Sequence, residues 1–266
     1  MVTRPSHQAD GLARRLEAAG ARVIRLPVLA IVDLESNPKL DALINRLDEF
    51  ALAIFVSANA VKGWVRLVLP RRTLPPQLRL VAVGAGTASA LEQAGLPSPL
   101  RPGASFGSEY LLDMPELSGR AIAGLRILIV RGIGGRELLS ETLKARGASV
   151  EYMEIYRRVM PPIGSEELLA HRCDVDVIMV TSVEALRNLF EIGGPKAKEW
   201  LCSTALIVVS ERIARLAEAF GVQKPPIIAD HASDEALLEA LQRWHRGTPA
   251  GPWGNGRNHD GVGHRR

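Results

Sequence analysis

The chain has 266 residues, 47% of them apolar and 23% charged, the balance of a soluble globular protein of one or two domains. Its formal charge of +4 gathers at one end: Arg246, Arg257, Arg265 and Arg266 against Asp260 leave the rest with only +1, which argues against a nucleic-acid-binding face. No apolar run nears the roughly 20 residues of a membrane span, and neither a leader pattern nor paired cysteine spacing is present. Cys173 and Cys202 stand alone, so a cytosolic protein with two reduced thiols is expected.

In chain order, the first helical pattern covers His7–Ala19, with Leu12, Ala13, Leu16 and Ala19 on one stripe. A strand-like run, Ala21–Leu26, follows, and then an extended segment, Leu26-Pro-Val-Leu-Ala-Ile-Val-Asp33. Short apolar strands next alternate with helices: Leu52–Val56 with Ala58–Val68, Leu78–Val83 with Gly86–Ala94, and Arg126–Val130 with Gly135–Arg146. A second extended segment, Tyr152–Val159, is closed by Pro161-Pro162. The alternation then resumes with Val175–Val180, Val183–Phe190, Ala205–Val209 and Glu211–Phe220. Gly20, Gly95, Gly147 and Gly221 each stand where a helix needs a left-handed residue to end it. Unbroken apolar strands between amphipathic helices define parallel sheets covered on both faces, an α/β, doubly wound architecture. Residues 246–266, rich in Gly, Pro and polar side chains, are expected to form a disordered tail.

The chain also repeats itself. Arg4 aligns with Arg131 and Gly20 with Gly147, at an offset of 127; Ser57 aligns with Ser182 at 125; Gly84 aligns with Ser210 and Ser108 with Asp234 at 126. A collinear series at one register of domain length predicts two similar domains, and clefts between domains are favoured ligand sites.

Val56-Ser57-Ala58-Asn59 and Val180-Thr181-Ser182 place small polar residues where a strand gives way to a helix. Such residues cap helices, and free N–H groups at helix starts also bind anions. Val83-Gly84-Ala85-Gly86-Thr87 lacks the third glycine and the later acidic residue of a dinucleotide fingerprint. Its glycines instead suit a tight turn close to a ligand. Neither a phosphate loop nor a nucleophile elbow occurs, and the six histidines are scattered, so nucleotide, triad and metal chemistry find no support. Arg131, at a strand end, is a candidate carboxylate binder, and Tyr156 is a candidate proton donor.

Taken together, Val2-Thr-Arg-Pro5, Phe55-Val-Ser-Ala-Asn-Ala-Val61, Ala82-Val-Gly-Ala-Gly-Thr-Ala88, Arg131-Gly132 with Gly135-Arg-Glu137, Glu154-Ile-Tyr-Arg-Arg158, Val180-Thr-Ser182 and Val209-Ser-Glu-Arg212 resemble the uroporphyrinogen-III synthase family, in order and spacing, over nearly all of residues 1–245. Val56 departs from the family's usual Thr, and Ser210-Glu-Arg-Ile213 from its common G-P-x-T turn. The resemblance implies two similar doubly wound parallel-sheet domains joined by a two-stranded connector. Residues 1–30 with 160–245 would form the discontinuous first domain and 34–151 the second, with 27–33 and 152–159 as the connecting strands. It implies cyclisation of linear hydroxymethylbilane to uroporphyrinogen III without cofactor or metal, by a monomer that meets neither nucleic acid nor membrane. Tyr156 would be catalytic. Arg4, Pro5, Ser57, Asn59, Gly84, Thr87, Arg131, Gly132, Thr181, Ser182 and Ser210 would bind substrate. A non-catalytic two-domain sensor of an anionic tetrapyrrole is the competing reading.

Overall fold

The computed structural model describes residues 1–103, 108–135 and 137–247. Of the expected tail 246–266, Arg246 and Gly247 instead close the last helix; residues 248–266, and Arg136 of the Gly135-Arg-Glu137 motif, lie outside the described residues. In chain order the helices and strands are α1 (Ser6–Ala18), β1 (Ala30–Asp33), α2 (Pro38–Asn45), β2 (Leu52–Phe55), α3 (Ala58–Leu67), β3 (Arg79–Ala82), α4 (Ala85–Gln93), α5 (Ser108–Leu112), α6 (Gly119–Ile122), β4 (Arg126–Gly132), α7 (Leu138–Ala145), β5 (Ser149–Val159), α8 (Ser165–Ala170), β6 (Val177–Val180), α9 (Val183–Ser203), β7 (Ala205–Val208), α10 (Glu211–Ala219), β8 (Ile227–Ile228) and α11 (Asp234–Gly247).

The described chain divides into two compact units: residues 1–30 with those from 160 to 247, and residues 31–159. The second unit holds a five-stranded sheet in the order β1-β5-β4-β2-β3. The pairs β5·β4, β4·β2 and β2·β3 are parallel. Val81 adds a parallel bridge to Leu100 beyond β3. The first unit holds β6-β7-β8, also parallel. Val2 extends that sheet, bridging Met179 on one side and Arg25 on the other.

These positions explain the repeat. Val2, Arg25, Met179, Ile207 and Ile227 occupy successive roles in the first unit, as Ile129, Tyr152, Ile54, Val81 and Leu100 do in the second. Each half of the sequence therefore supplies its first two strand positions to one unit and its last three to the other. Both sheets share one arrangement, in which the strand beginning the repeat lies beside the third.

Both faces of each sheet are buried, as the apolar runs require. In β2, Ala53 and Phe55 join a core around Phe50 and Trp64, while Leu52 and Ile54 join Leu111, Ile122, Ile127 and Ile129 on the other face. In β6, Ile178 and Val180 pack with Leu186, Leu206 and Val208, and Val177 and Met179 with Leu12, Ile207 and Leu237. Each such Leu, Ile or Phe contributes about 1.5–3 kcal/mol of transfer free energy.

The structure departs from the sequence reading in several places. Ala21–Leu26 is not a strand; it makes one bridge, at Arg25, with Val2 N–H bonding Ile24 O and Leu26 N–H bonding Val2 O. The helix expected from Gly135 starts at Leu138, because Gly134 and Gly135 have φ of 73° and 110°, values a helix does not admit. The helix expected to end at Phe190 runs to Ser203, with a kink at Gly194, where φ is 52°, ahead of Pro195. In keeping with the expected two-stranded pairing of the connecting segments, β1 lies beside β5 in the second unit's sheet, with Leu34 N–H also bonding Ile155 O. Met153, Ile155 and Tyr156 are part of that unit's core.

Candidate active site

Strand β4 leads through α7 to β5 on one side, whereas β2 leads through α3 to β3 on the other. The crevice beyond the carboxyl ends of two such strands is where open α/β sheets hold ligands. Here it is a pocket of about 290 Å³ lined by residues that include Val56, Arg131, Gly132, Ser140, Tyr152 and Tyr156.

Tyr156 reaches this pocket through a break in register. β4 and β5 pair Arg131 with Glu154 but Gly132 with Tyr156, which leaves Ile155 as the extra residue of a bulge. Side chains four apart on a regular strand share a face. Across the bulge they do not: Tyr152 packs with the cluster around Ile129 and Leu139, and Tyr156 with the cluster around Trp64 and Phe55. The Tyr156 side chain is buried, and its hydroxyl lies 3.1 Å from Ser57 Oγ. Ser57 caps α3, its Oγ accepting from Ala60 N–H at 3.2 Å. That bond leaves the Ser57 hydroxyl proton for a second partner. Gly132 lies against the Tyr156 ring so closely that a Cβ there would stand 2.6 Å from Cζ. The sequence therefore needs glycine at 132 for close approach rather than for an unusual φ.

Arg131 is 5% exposed and is held by its own loop. Its Nε donates to Gly132 O at 3.2 Å, one terminal nitrogen to Glu137 Oε1 at 3.0 Å, and the other to Gly134 O. The guanidinium lies 4.5 Å from the Tyr152 ring centroid, a cation–π distance, and the Tyr152 hydroxyl donates to Glu137 Oε2. The Glu137 carboxyl is held below its ordinary range, first by the Tyr152 hydroxyl and then by Arg131. Burial, followed by the Glu137 contact, pushes the Tyr152 phenol up. The left-handed Gly134–Gly135 turn is thus the wrapping of Arg131.

The first unit repeats the pattern. Arg4 donates to Asp234 Oδ1 at 2.6 Å and to Ala232 O at 2.5 Å. Pro5 occupies the N-cap of α1. Ser182 caps α9, with its Oγ accepting from Ala185 N–H at 3.0 Å, and Thr181 precedes it. These residues stand at the carboxyl ends of the Val2 bridge position and β6, the equivalent crevice. One strand further out, Gly84 and Ser210 hold matching N-cap positions on α4 and α10 without side-chain capping bonds. Thr87 is buried in the first turn of α4, and Asn59 lies in the first turn of α3.

Sequence reasoning assigned no role to Tyr152, Glu137 or Ser140. Glu137 fell inside a quoted motif, but nothing in a linear reading pairs it with Tyr152, 15 residues away. The Ser140 hydroxyl is buried beside that of Tyr152 without a hydrogen bond of good geometry.

The fold and the site define a two-unit, doubly wound α/β protein whose polar side chains gather at the carboxyl ends of both parallel sheets. The family model described as uroporphyrinogen-III synthase HemD matches residues 10–239. The uroporphyrinogen-III synthase of Salmonella typhimurium is 39% identical over 246 residues, covering 91% of this chain and 99% of that protein. The Escherichia coli synthase is 37% identical with the same coverage. A mutant uroporphyrinogen III synthase from the extremely thermophilic bacterium Thermus thermophilus shares the fold with a TM-score of 0.61 at 21% identity, covering 92% of this chain and 96% of that one. For the Helicobacter pylori uroporphyrinogen-III synthetase the TM-score is 0.57 at 17% identity, covering 85% and 96%. The chain belongs to the uroporphyrinogen-III synthase family.

Proposed function

We propose that the protein is a uroporphyrinogen-III synthase, a lyase of tetrapyrrole biosynthesis that closes linear hydroxymethylbilane into uroporphyrinogen III with loss of water and inversion of ring D. The observation that carries this reading is the 39% identity over nearly the whole of both chains. The chemistry suits the residues present. The substrate carries eight carboxylates, so many modest donors serve it better than one strong site. Helix starts at Ser57, Gly84, Thr181–Ser182 and Ser210, with Asn59 and Thr87 in their first turns, supply N–H and hydroxyl donors of that kind. Arg4 and Pro5 frame the strand ends of the first unit, and Arg131 and Gly132 those of the second.

Departure of the terminal hydroxyl needs a proton and yields an electrophilic azafulvene. That electrophile attacks the substituted carbon of ring D, giving a spiro intermediate. Unguided closure at the unsubstituted carbon gives isomer I instead. Positioning is therefore the principal task, and it can supply several kcal/mol without a nucleophile. Tyr156 is the proton donor in this reading. The Ser57 hydroxyl at 3.1 Å orients its phenol, and Gly132 fixes its ring.

The protein acts on its small-molecule substrate as a cytosolic monomer, without cofactor, metal or nucleic acid. Among the described residues no helix is long and apolar enough to cross a membrane. The test is an isomer assay on freshly generated hydroxymethylbilane, with products oxidised and separated by chromatography. Isomer III that forms only with protein supports the synthase. Isomer I alone, from folded protein, leaves a non-catalytic tetrapyrrole binder as the better account.

A further inference from the structure

The pocket beyond β4 already contains a carboxylate. Glu137 accepts from Arg131 through Oε1, at 3.0 Å, and from the Tyr152 hydroxyl through Oε2. The cation–π stack of Arg131 on Tyr152, at 4.5 Å, fixes the two donors relative to each other. The two halves of the ion pair differ in exposure: the Arg131 side chain is 6% exposed and that of Glu137 52%. The arginine is thus the fixed member and the glutamate the one that solvent can take back.

We propose that Arg131 and Tyr152 form a cradle for one carboxylate of the substrate, and that Glu137 is a resident stand-in which the substrate displaces. This identity of the incoming group rests on the synthase reading; the cradle itself does not. Simple opening of the pair would leave a buried guanidinium unpaired, which is costly. Exchange of one carboxylate for another avoids that loss and needs only an exposed glutamate to swing into water, a small term for a partly exposed pair. The left-handed Gly134–Gly135 turn, between Arg131 and Glu137 in the chain, lets the backbone bend tightly around the guanidinium. Swinging Glu137 outward leaves the Gly134 carbonyl on Arg131, so the arginine stays aimed into the pocket.

The test uses the full chain with Glu137→Ala, and Glu137→Gln as the milder variant that retains an amide oxygen for Arg131. Sodium propionate is the probe, with sodium chloride at equal ionic strength as the control. Propionate should raise the melting temperature of Glu137→Ala and leave wild type unmoved. Adding Tyr152→Phe should abolish the effect. In steady-state assays both Glu137 variants should show a KM for hydroxymethylbilane lowered about two- to fivefold, the competition of an exposed ion pair being removed. Failure of propionate to stabilise Glu137→Ala, or a raised or unchanged KM in both variants, overturns the proposal and leaves Glu137 as a structural partner of Arg131. If wild type makes no isomer III, the synthase reading fails separately, and the propionate melts alone decide whether the cradle exists.

Discussion

Gly132→Ala tests the packing that holds Tyr156. The added methyl would stand 2.6 Å from Tyr156 Cζ and 2.9 Å from Cδ2. Carbon atoms rest at about 3.5–4.0 Å, so the ring must retreat by about 1 Å. Its retreat is resisted, because it is only 3% exposed and belongs to the cluster that includes Phe55 and Trp64. Forcing a methyl into a filled core costs about 1–3 kcal/mol. Replacing glycine within a strand returns about 0.5–1 kcal/mol of backbone entropy. The net expectation is a loss of about 1–2 kcal/mol. At about 2–4 °C per kcal/mol for a chain of this size, the melting temperature should fall by about 2–8 °C. A retreating ring also carries its hydroxyl away from Ser57 Oγ, now at 3.1 Å, so the rate of isomer III formation should fall with stability. Thermal melts by circular dichroism and the isomer assay read the two effects. A variant that melts with wild type and retains its rate would refute the claim that Gly132 fixes the catalytic ring.

Tyr156→Phe removes one neutral hydrogen bond, worth about 1 kcal/mol, while Ser57 keeps its bond from Ala60. The fold should survive and the isomer III rate should drop by about 10²-fold or more if the phenol is the acid; unchanged turnover removes Tyr156 from the chemistry. Gly86→Ala places a Cβ in open space within α4, so stability should rise by up to about 1 kcal/mol. KM should rise at the same time if substrate approaches that backbone, and an unaltered KM would show that it does not. Acid should weaken the second unit. The Asp41 carboxyl is held below its ordinary value, first by the Ser36 hydroxyl and then by Arg71. Glu137 is lowered by Tyr152 and Arg131. For Glu151, burial pushes the carboxyl up, but Arg126 and Arg46 draw it down overall. Depressed carboxyls add stability above their unfolded values and lose it as pH falls through the folded ones, here below about pH 4. Urea midpoints followed by tryptophan fluorescence should therefore decline in that range, and a flat profile would contradict the assignment.

The relation between sequence and structure differs from element to element. Strands β2, β3, β4, β6 and β7 were legible within a residue or two, because burial on both faces demands unbroken apolar runs. The capping serines were legible too, since Ser57 and Ser182 act on N–H groups only three residues away. Arg4 and Arg131 were found as a repeat-related pair, with Arg131 read as a candidate carboxylate binder. Each is engaged by a carboxylate and a backbone carbonyl of its own unit, contacts that depend on how loops fold back and leave no periodic trace.

The sequence by itself determined the α/β class, the repeat and the positions where strands give way to helices, since these follow from periodicity and local hydrogen bonding. Tertiary structure alone decided that each half of the repeat lends two strand positions to the other's sheet, because strand pairing is a long-range choice. It also decided the fate of the two tyrosines. Period-two alternation would place Tyr152 and Tyr156 on one face, but the bulge at Ile155 turns them to opposite faces. Tyr152 is thereby brought to Glu137 and Arg131, and Tyr156 to Ser57. One unpaired residue in a strand ladder, invisible in the local sequence, thus sets the geometry of the site.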